Sequence, residues 1–338
     1  MTADNQQTLA PRRSRSPDNP RKIEVPRITA VSTAQATTPA SPGTLNWILV
    51  VALGAIWGAA FMSVSVALEG FGPVWLAALR VAIAAVVLAV IGHLMGQGLA
   101  RVPRRAAPYV ALLGVGAVAL PFLLLSWGQQ YVPSAFAGVA MGTVPLLVVP
   151  LVALFSPEEG IGPRRIAGMA LGFLGIVTLF GPDAWSGHSE TFGFWGQAAC
   201  IVAAGCYAGG SVLTRRTPKT PPLALAAGSL VAASVILLPL ALVVEGVPEA
   251  PSAKPTLALL YAALFPTAIA AVIRVRVITT AGSLFMSLTS YMVPVWAVIF
   301  GIALLGEDLP QSLFWGLGLI LAGIALSQWS SVRAALRR

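Results

Sequence analysis

Long apolar runs alternate with short polar turns along most of the chain. Each run has about the 17–25 residues that a helix needs to cross the ~30 Å hydrocarbon core of a bilayer. The strands of a membrane β-barrel need only about ten alternating residues, so the pattern predicts an all-α membrane protein. The ten runs lie near 45–68, 73–95, 107–127, 134–154, 165–181, 192–213, 222–244, 257–278, 283–305 and 312–329.

One sequence pattern occurs twice. Residues 134–175 and 283–323 share the same order: a serine, a Val-Pro pair whose proline follows eleven residues later, an acidic turn and two glycines. From the acid to the glycines both copies have the same spacings, nine and then seven residues. The offset of 148 to 149 residues predicts an internal duplication. Its first repeat would span 45–181 and its second 192–329.

Each predicted repeat holds five helices. Because five is odd, the second repeat would enter the membrane with the opposite orientation to the first. In other transporter folds, inverted repeats hold the substrate near the membrane midplane and alternate access by rocking. We therefore expect ten transmembrane helices arranged as two inverted five-helix repeats.

The lysines and arginines give this arrangement a direction. With the N-terminus inside, nineteen of them fall in or near inside segments, Lys254 falls outside and Arg80 lies within a helix. This bias follows the positive-inside rule. It predicts a multi-pass membrane protein with cytoplasmic N- and C-termini. Residues 1–44 are rich in Pro, Ser, Thr and Arg, and this composition predicts a disordered basic cytoplasmic tail.

Composition supports a membrane location. The chain is 57% hydrophobic and 10% charged, against about 25% charged residues in soluble domains. The formal charge of +9 follows from the topology bias, so the expected partners are a small-molecule substrate and the lipid bilayer, with no nucleic acid. A homodimer stays open. No metal site and no cofactor are expected, because no His, Cys, Asp or Glu cluster has metal-ligand spacing.

Three features together resemble the drug/metabolite transporter superfamily, EamA type. They are the Trp57-Gly58-Ala59-Ala60-Phe61 stretch, the spacing from Pro73 to Arg80, and the proline-to-acid-to-glycine pattern of the two copies. The resemblance covers residues 45–329. The chain departs from the family pattern at Ser156-Pro157-Glu158-Glu159, where a Gly-Glu turn is usual, and at Arg274 and Arg276 in a normally apolar stretch.

The resemblance implies a carrier of the cell inner (plasma) membrane that exports or exchanges small metabolites, amino acids, related polar compounds or drugs, with no enzymatic activity. Two other classes stay open. A channel needs a ring of ligating groups on a symmetry axis, which one chain with an inverted repeat does not favour. A membrane-embedded enzyme needs general acids and bases, and the chain has two histidines and few acids in its apolar runs.

Arg80 is a charged residue well inside a predicted helix, away from its ends. It lies seven residues after Pro73, or about 10 Å into the helix. A charge at the helix centre costs about 2.5–3.5 kcal/mol on insertion scales, so it usually faces protein or water. Two interpretations stay open. Glu69 or backbone carbonyls neutralise Arg80, or Arg80 binds a carboxylate or phosphate of the substrate.

Further candidate substrate-binding residues lie at similar predicted depth. Trp57 and Tyr207 stand 150 residues apart at matching places in the two repeats, away from the interfacial belts that Trp and Tyr prefer. Ser290, Tyr291 and Thr143 lie next to the repeated prolines. The alternative roles are core packing for the aromatic rings, and bonding of freed carbonyls for the hydroxyls.

Pro145 and Pro294 are candidate hinges, since proline removes a backbone donor and kinks a helix. Simple packing kinks are the alternative. Glu159 and Glu307 are expected to cap the N-termini of the fifth and tenth helices, where the helix dipole favours an anion. Close helix contact is predicted at four Gly-x-x-x-Gly pairs, which begin at Gly54, Gly138, Gly168 and Gly205.

Overall fold

The computed structural model describes Thr2 and residues 43–155, 162–181, 191–248 and 251–329. Within these ranges the chain is helical and contains no β-strand. The predicted tail lies outside the described residues except for Thr2, Gly43 and Thr44. The acidic turn at Glu158 and Glu159 also lies outside them.

Ten apolar helices, α1 to α10, account for most of the described residues. Nine are long and apolar enough to cross a membrane, and the last is an apolar helix of 17 residues. Together they give an all-helical membrane protein. The helices are α1 Thr44–Ala67, α2 Pro73–Leu94, α3 Arg104–Gly128, α4 in two pieces (Ser134–Met141 and Val144–Phe155), α5 Pro163–Phe180, α6 Thr191–Arg216, α7 Pro222–Glu245, α8 Ala253–Ala281, α9 in two pieces (Ser283–Met286 and Thr289–Leu305) and α10 Gln311–Ser327.

Proline and glycine set several of the helix ends. Pro73, Pro163 and Pro222 occupy the first turns of α2, α5 and α7, where the missing N–H group would have had no partner in the helix. Gly306 follows α9 in the left-handed region, with φ of 65°, a conformation that glycine adopts without the penalty of a Cβ atom. These residues mark where the helices begin and end in the part of the chain that the structure describes.

Each of the first five helices packs mainly against helices of the second five. The pairs are α2 with α7, α5 with α10, α1 with α9, α4 with α6, α3 with α6, α1 with α8, α4 with α9, α3 with α7, and α2 with α8. When every helix is exchanged for its counterpart five places along, this set of neighbours stays the same. The two sequence copies therefore have equivalent packing environments.

A single π-helical turn interrupts both α3 and α8. The first spans Gly114–Ala119 and the second spans Leu264–Ile269, 150 positions later. A π-turn in a long helix is frequent at functional sites because it disturbs the regular backbone hydrogen bonds. In α8 the turn contains Pro266, which has no N–H to donate.

The closest helix contact joins α5 and α10. A Cβ atom on Gly168 would lie 2.5 Å from the backbone nitrogen of Ser327 and 2.6 Å from the carbonyl oxygen of Gly323. Gly54, Gly58, Gly138 and Gly142 also face α9 at close range. The prediction for Gly205 and Gly209 was wrong: a Cβ atom on either would meet nothing within 4 Å, so these two glycines make no close helix contact.

The two helices that carry the repeated prolines, α4 and α9, are both broken, at different places. In α4 the break falls at Gly142 and Thr143, and Pro145 lies in the first turn of the second piece rather than at the helix centre. The first piece packs against α9 and the second piece mainly against α6. In α9, Pro294 lies inside the longer piece. The two candidate hinges come close together, because a Cβ atom on Gly142 would lie 2.7 Å from Cγ of Pro294.

Large apolar side chains cover much of the outer surface. Val86, Leu94 and Val243 are 66%, 79% and 84% exposed. In water such exposure over many residues would favour association. On helices of this length it marks the surface that faces lipid.

Candidate functional site

Arg80 lies buried within the helix bundle, with 8% of its surface exposed. Its Nε donates a hydrogen bond to Thr267 Oγ1 at 3.2 Å, and Thr267 Oγ1 donates to the carbonyl oxygen of Ala262 at 2.9 Å. Thr267 belongs to the π-turn of α8. The π-turn therefore fixes the inner end of the guanidinium and leaves its terminal nitrogens free to face elsewhere.

An aromatic wall stands beside this guanidinium. The Cζ atom of Arg80 lies 4.3 Å from the ring centroid of Phe122, a cation–π distance. The ring of Phe122 in turn lies 6.4 Å from that of Tyr207. Helices α2, α3, α6 and α8 thus meet at one polar point inside an apolar bundle, formed by Arg80, Thr267, Phe122 and Tyr207.

Trp57 joins the same region through the backbone. Its indole Nε1 donates to the carbonyl oxygen of Pro266 at 3.0 Å, one residue before Thr267. The π-turn of α8 therefore contacts α1 through Trp57 and α2 through Arg80. The structure brings Arg80, Trp57 and Tyr207 together, as an arrangement around Thr267 and Phe122.

The remaining hydroxyl candidates have different surroundings. Thr143 is fully buried and donates to the carbonyl oxygen of Ala140 at 2.6 Å, so its hydroxyl serves the break in α4, as the alternative interpretation expected. The hydroxyl of Tyr291 is buried and has no hydrogen-bond partner among the described residues. Tyr291 packs against the same apolar cluster as Tyr207. Ser290 is half-buried and, among the described residues, shares no hydrogen bond with the other candidates.

Glu69 is not the partner of Arg80, so the Glu69 form of the first interpretation was wrong. Its carboxylate forms an ion pair with Lys254 Nζ at 2.7 Å, and both side chains are largely exposed. The sequence argument paired Arg80 with the nearest carboxylate along the chain, but the turn after α1 directs Glu69 toward the start of α8. In the described part of the chain no carboxylate pairs with Arg80.

Two carboxylates cap helices at one end of the bundle. Glu245, the last residue of α7, accepts from the backbone N–H groups of Val74 at 2.8 Å and Trp75 at 2.9 Å, at the start of α2. Glu307 accepts from Ser134 at 2.7 Å and Ala135 at 3.1 Å, at the start of α4. Anions at helix N-termini satisfy free donors and favour the dipole.

Glu307 therefore caps a helix N-terminus, as expected, but the capped helix is a different one. It caps α4 across the two halves, whereas the sequence argument assigned it to α10, the next helix along the chain. Glu159, its counterpart in the first copy, lies outside the described residues. The dipole argument identifies a helix N-terminus as the target but contains no information on which helix folds nearby.

An amide occupies the corresponding place at the opposite end of the bundle. Gln97, just after α2, accepts through Oε1 from the backbone N–H of Leu223 at the start of α7, at 3.3 Å. Thus the end of α7 caps α2, and the end of α2 caps α7. The two ends of the bundle therefore differ: the cap is a carboxylate at one end and an amide at the other.

No cluster of three or more His, Cys, Asp or Glu side chains that could hold a metal ion occurs in the ranges the structure describes. Cys200 is buried and Cys206 half-buried, and both are free thiols on α6.

Three curated relatives are transporters by name. The chain is 32% identical to a probable terminal-alkyne amino-acid exporter of Streptantibioticus cattleyicolor, with 83% of this chain and 92% of the relative covered. It is 30% identical to the uncharacterized inner membrane transporter YedA of Escherichia coli K12, covering 81% and 88%. It is 26% identical to an S-adenosylmethionine/S-adenosylhomocysteine transporter of Chlamydia trachomatis, covering 80% and 85%.

The fold and the family agree with these likenesses. One solved crystal structure resembles the chain with a TM-score of 0.63 at 22% identity, covering 86% of this chain and 99% of that one. The sequence profile of the EamA-like transporter family matches residues 45–181 and 194–329. These two segments contain the helices described above, apart from the first residues of α1 and α6. The chain is therefore a membrane transporter that belongs to the EamA-like transporter family.

Proposed function

We propose that the chain is a carrier of the inner membrane that moves small metabolites, amino acids, related polar compounds or drugs by alternating access. Its working parts are two inverted five-helix repeats, 45–181 and 192–329, which together cross the membrane ten times. Both termini are cytoplasmic. The direction is efflux or exchange, in keeping with the named exporter and the named inner membrane transporter among the relatives.

The symmetric exchange of helix neighbours is the observation that carries this proposal. Every main contact between the two halves has a counterpart when the halves are exchanged. A fold with two equivalent halves has two equivalent ways to tilt one half against the other, one open to each side. Channels and membrane-embedded enzymes do not need this equivalence.

The substrate site of this carrier is the polar point around Arg80. It lies beside the π-turn of α8, and Arg80, Trp57 and Tyr207 reach it from different helices. We include Tyr291 and Ser290 of α9, because Tyr291 packs against the same apolar cluster as Tyr207, and Thr143, which holds the break in α4. Pro145 and Pro294 serve as hinges, since α4 changes its main neighbour from α9 to α6 across its break.

Counterflow from proteoliposomes tests the carrier mechanism. Vesicles containing the purified protein are loaded with a mixture of unlabelled amino acids and small organic acids, and uptake of each labelled compound is followed. A carrier gives saturable uptake that overshoots equilibrium when the interior is loaded. A channel gives uptake that does not overshoot, and an enzyme gives a chemically altered product; either result would contradict the proposal.

A further inference from the structure

The guanidinium of Arg80 has more donors than the described protein satisfies. Arginine carries five N–H groups and no acceptor. Nε uses one of them on Thr267, and the ring of Phe122 covers one face. Its terminal nitrogens donate no hydrogen bond to any residue in the described ranges. A buried charge of this kind is costly until it is paired and hydrogen-bonded.

The described carboxylates are committed elsewhere. Glu69 pairs with Lys254, and Glu245 and Glu307 each accept two backbone N–H groups at helix starts. Asp308 is exposed in the turn after α9. All four lie at helix ends, whereas Arg80 lies about two turns inside α2, at ~1.5 Å per residue. Within the described residues, Arg80 therefore has a charge with no fixed anion to balance it.

The surroundings restrict the charge of a matching ligand. Phe122, Tyr207 and Trp57 place aromatic rings around Arg80. In the described ranges, none of these three side chains contacts a second cation. A single negative charge neutralises the guanidinium, whereas a phosphate dianion would leave one buried charge without a partner. The flat fork of arginine matches a carboxylate with two parallel hydrogen bonds.

We infer that the transported substrate is a small compound with a carboxylate, bound by the terminal nitrogens of Arg80, and an apolar or aromatic body packed on Phe122 and Tyr207. This rests on the proposed function, because it names the substrate class of that same site. The carboxylate is the recognised group. Amines and uncharged compounds lack the charge that Arg80 requires.

Matched acid and amide pairs test the inference. Benzoate and benzamide, 3-phenylpropionate and 3-phenylpropionamide, and hexanoate and hexanamide differ mainly in charge. Binding is measured as thermal stabilisation of the purified protein in detergent, with 3-phenylpropylamine as the cationic comparison. At least one acid is expected to bind about tenfold or more tightly than its amide, and the amine is expected not to compete with it.

Variants assign the preference to Arg80. In Arg80→Gln the acid and its amide are expected to bind alike, whereas Arg80→Lys keeps a reduced preference because it retains the charge without the fork. Arg274→Gln is the matched control. Arg276→Gln serves as a second control, because Arg276 is an exposed arginine on the same helix, and neither control should change the preference.

Two results would overturn the inference: amides that bind as well as their acids in the unmodified protein, or an acid preference that persists in Arg80→Gln. If Arg80→Gln does not fold, the binding of acids and amides is compared in the unmodified protein and in Arg80→Lys, and these two comparisons still test the inference. Counterflow of amino acids and of the same organic acids separates this result from the carrier proposal. Acid binding without counterflow would refute the carrier mechanism but not the carboxylate substrate. Counterflow without any acid preference would refute the carboxylate substrate but not the carrier mechanism.

Discussion

Glu245 and Val74 connect the two halves of the protein. The carboxylate Oε1 at the end of α7 lies 2.8 Å from the backbone nitrogen at the start of α2. Glu307 repeats this relationship with Ser134 at the start of α4. Both contacts join the second half to the first at the same end of the bundle, because α2 and α4 begin at that end.

Removing either cap should destabilise the protein. For Glu245→Ala and Glu307→Ala we expect a loss of about 0.5–2 kcal/mol each, the usual range for a lost N-cap. Glutamine at either position should cost less, because its amide oxygen still accepts, as Gln97 does for Leu223 at the other end. The measurement is the apparent melting temperature of the purified protein.

Glu69→Gln is the control for these cap variants. It removes an exposed ion pair with Lys254, which is worth about 0–1 kcal/mol. If Glu69→Gln lowers the melting temperature as much as Glu307→Ala, the caps have no special role at the junction of the halves.

Trp57→Phe should weaken the π-turn of α8. The phenyl ring keeps most of the packing but removes the indole N–H that pairs with the carbonyl of Pro266. A buried carbonyl left unpaired costs about 1–3 kcal/mol, so melting temperature and counterflow should both fall. Trp195→Phe is the matched control, because Trp195 is 56% exposed on α6. Equal effects of the two substitutions would argue against a role for the hydrogen bond.

Gly168→Ala should damage the contact between α5 and α10. The added methyl would lie 2.5 Å from the backbone nitrogen of Ser327, and backbone cannot rotate away as a side chain can. We expect reduced membrane abundance and a melting temperature lowered by the equivalent of about 1–3 kcal/mol. Gly205→Ala, in open space, should be tolerated. A tolerated Gly168→Ala would mean that the two helices can separate without loss.

Cysteine labelling tests the proposed orientation. In a background with Cys200→Ala and Cys206→Ala, a cysteine introduced by Ser186→Cys should react with membrane-impermeant thiol reagents added to intact cells. One introduced by Lys219→Cys should react only after the cells are opened. The reverse pattern would refute the inside location of the N-terminus, and equal labelling of both would refute a single orientation.

The helices followed from the sequence because a bilayer imposes a length and an apolar composition that each run records locally. Trp57 and Tyr207 were found from the repeat spacing, and Arg80 from its charge and its distance from Pro73. Phe122 and Thr267 were missed, since neither a lone phenylalanine nor a lone threonine carries a signal in an apolar run. The π-turn spacing of 150 residues becomes visible only from backbone hydrogen bonds.

The wrong partners share one cause. Glu69 was paired with Arg80 and Glu307 with α10 because each was the nearest match along the chain. The observed partners, Lys254 and Ser134, are 185 and 173 residues away. A helix dipole or a buried cation favours a partner of a certain chemical type. Which residue of that type becomes the partner depends on how the two halves pack.

The caps also set an order of assembly. Val74 and Glu245 are 171 residues apart, and Ser134 and Glu307 are 173 apart. During synthesis α2 and α4 must therefore enter the membrane with donors at their N-termini that receive these carboxylates only when α7 and the end of α9 have emerged from the ribosome. The first half produced alone would keep these donors unpaired in a poorly solvating environment. Biogenesis of this protein is consequently complete only with its last hairpin, and a chain truncated before Glu307 is a natural target for membrane quality control.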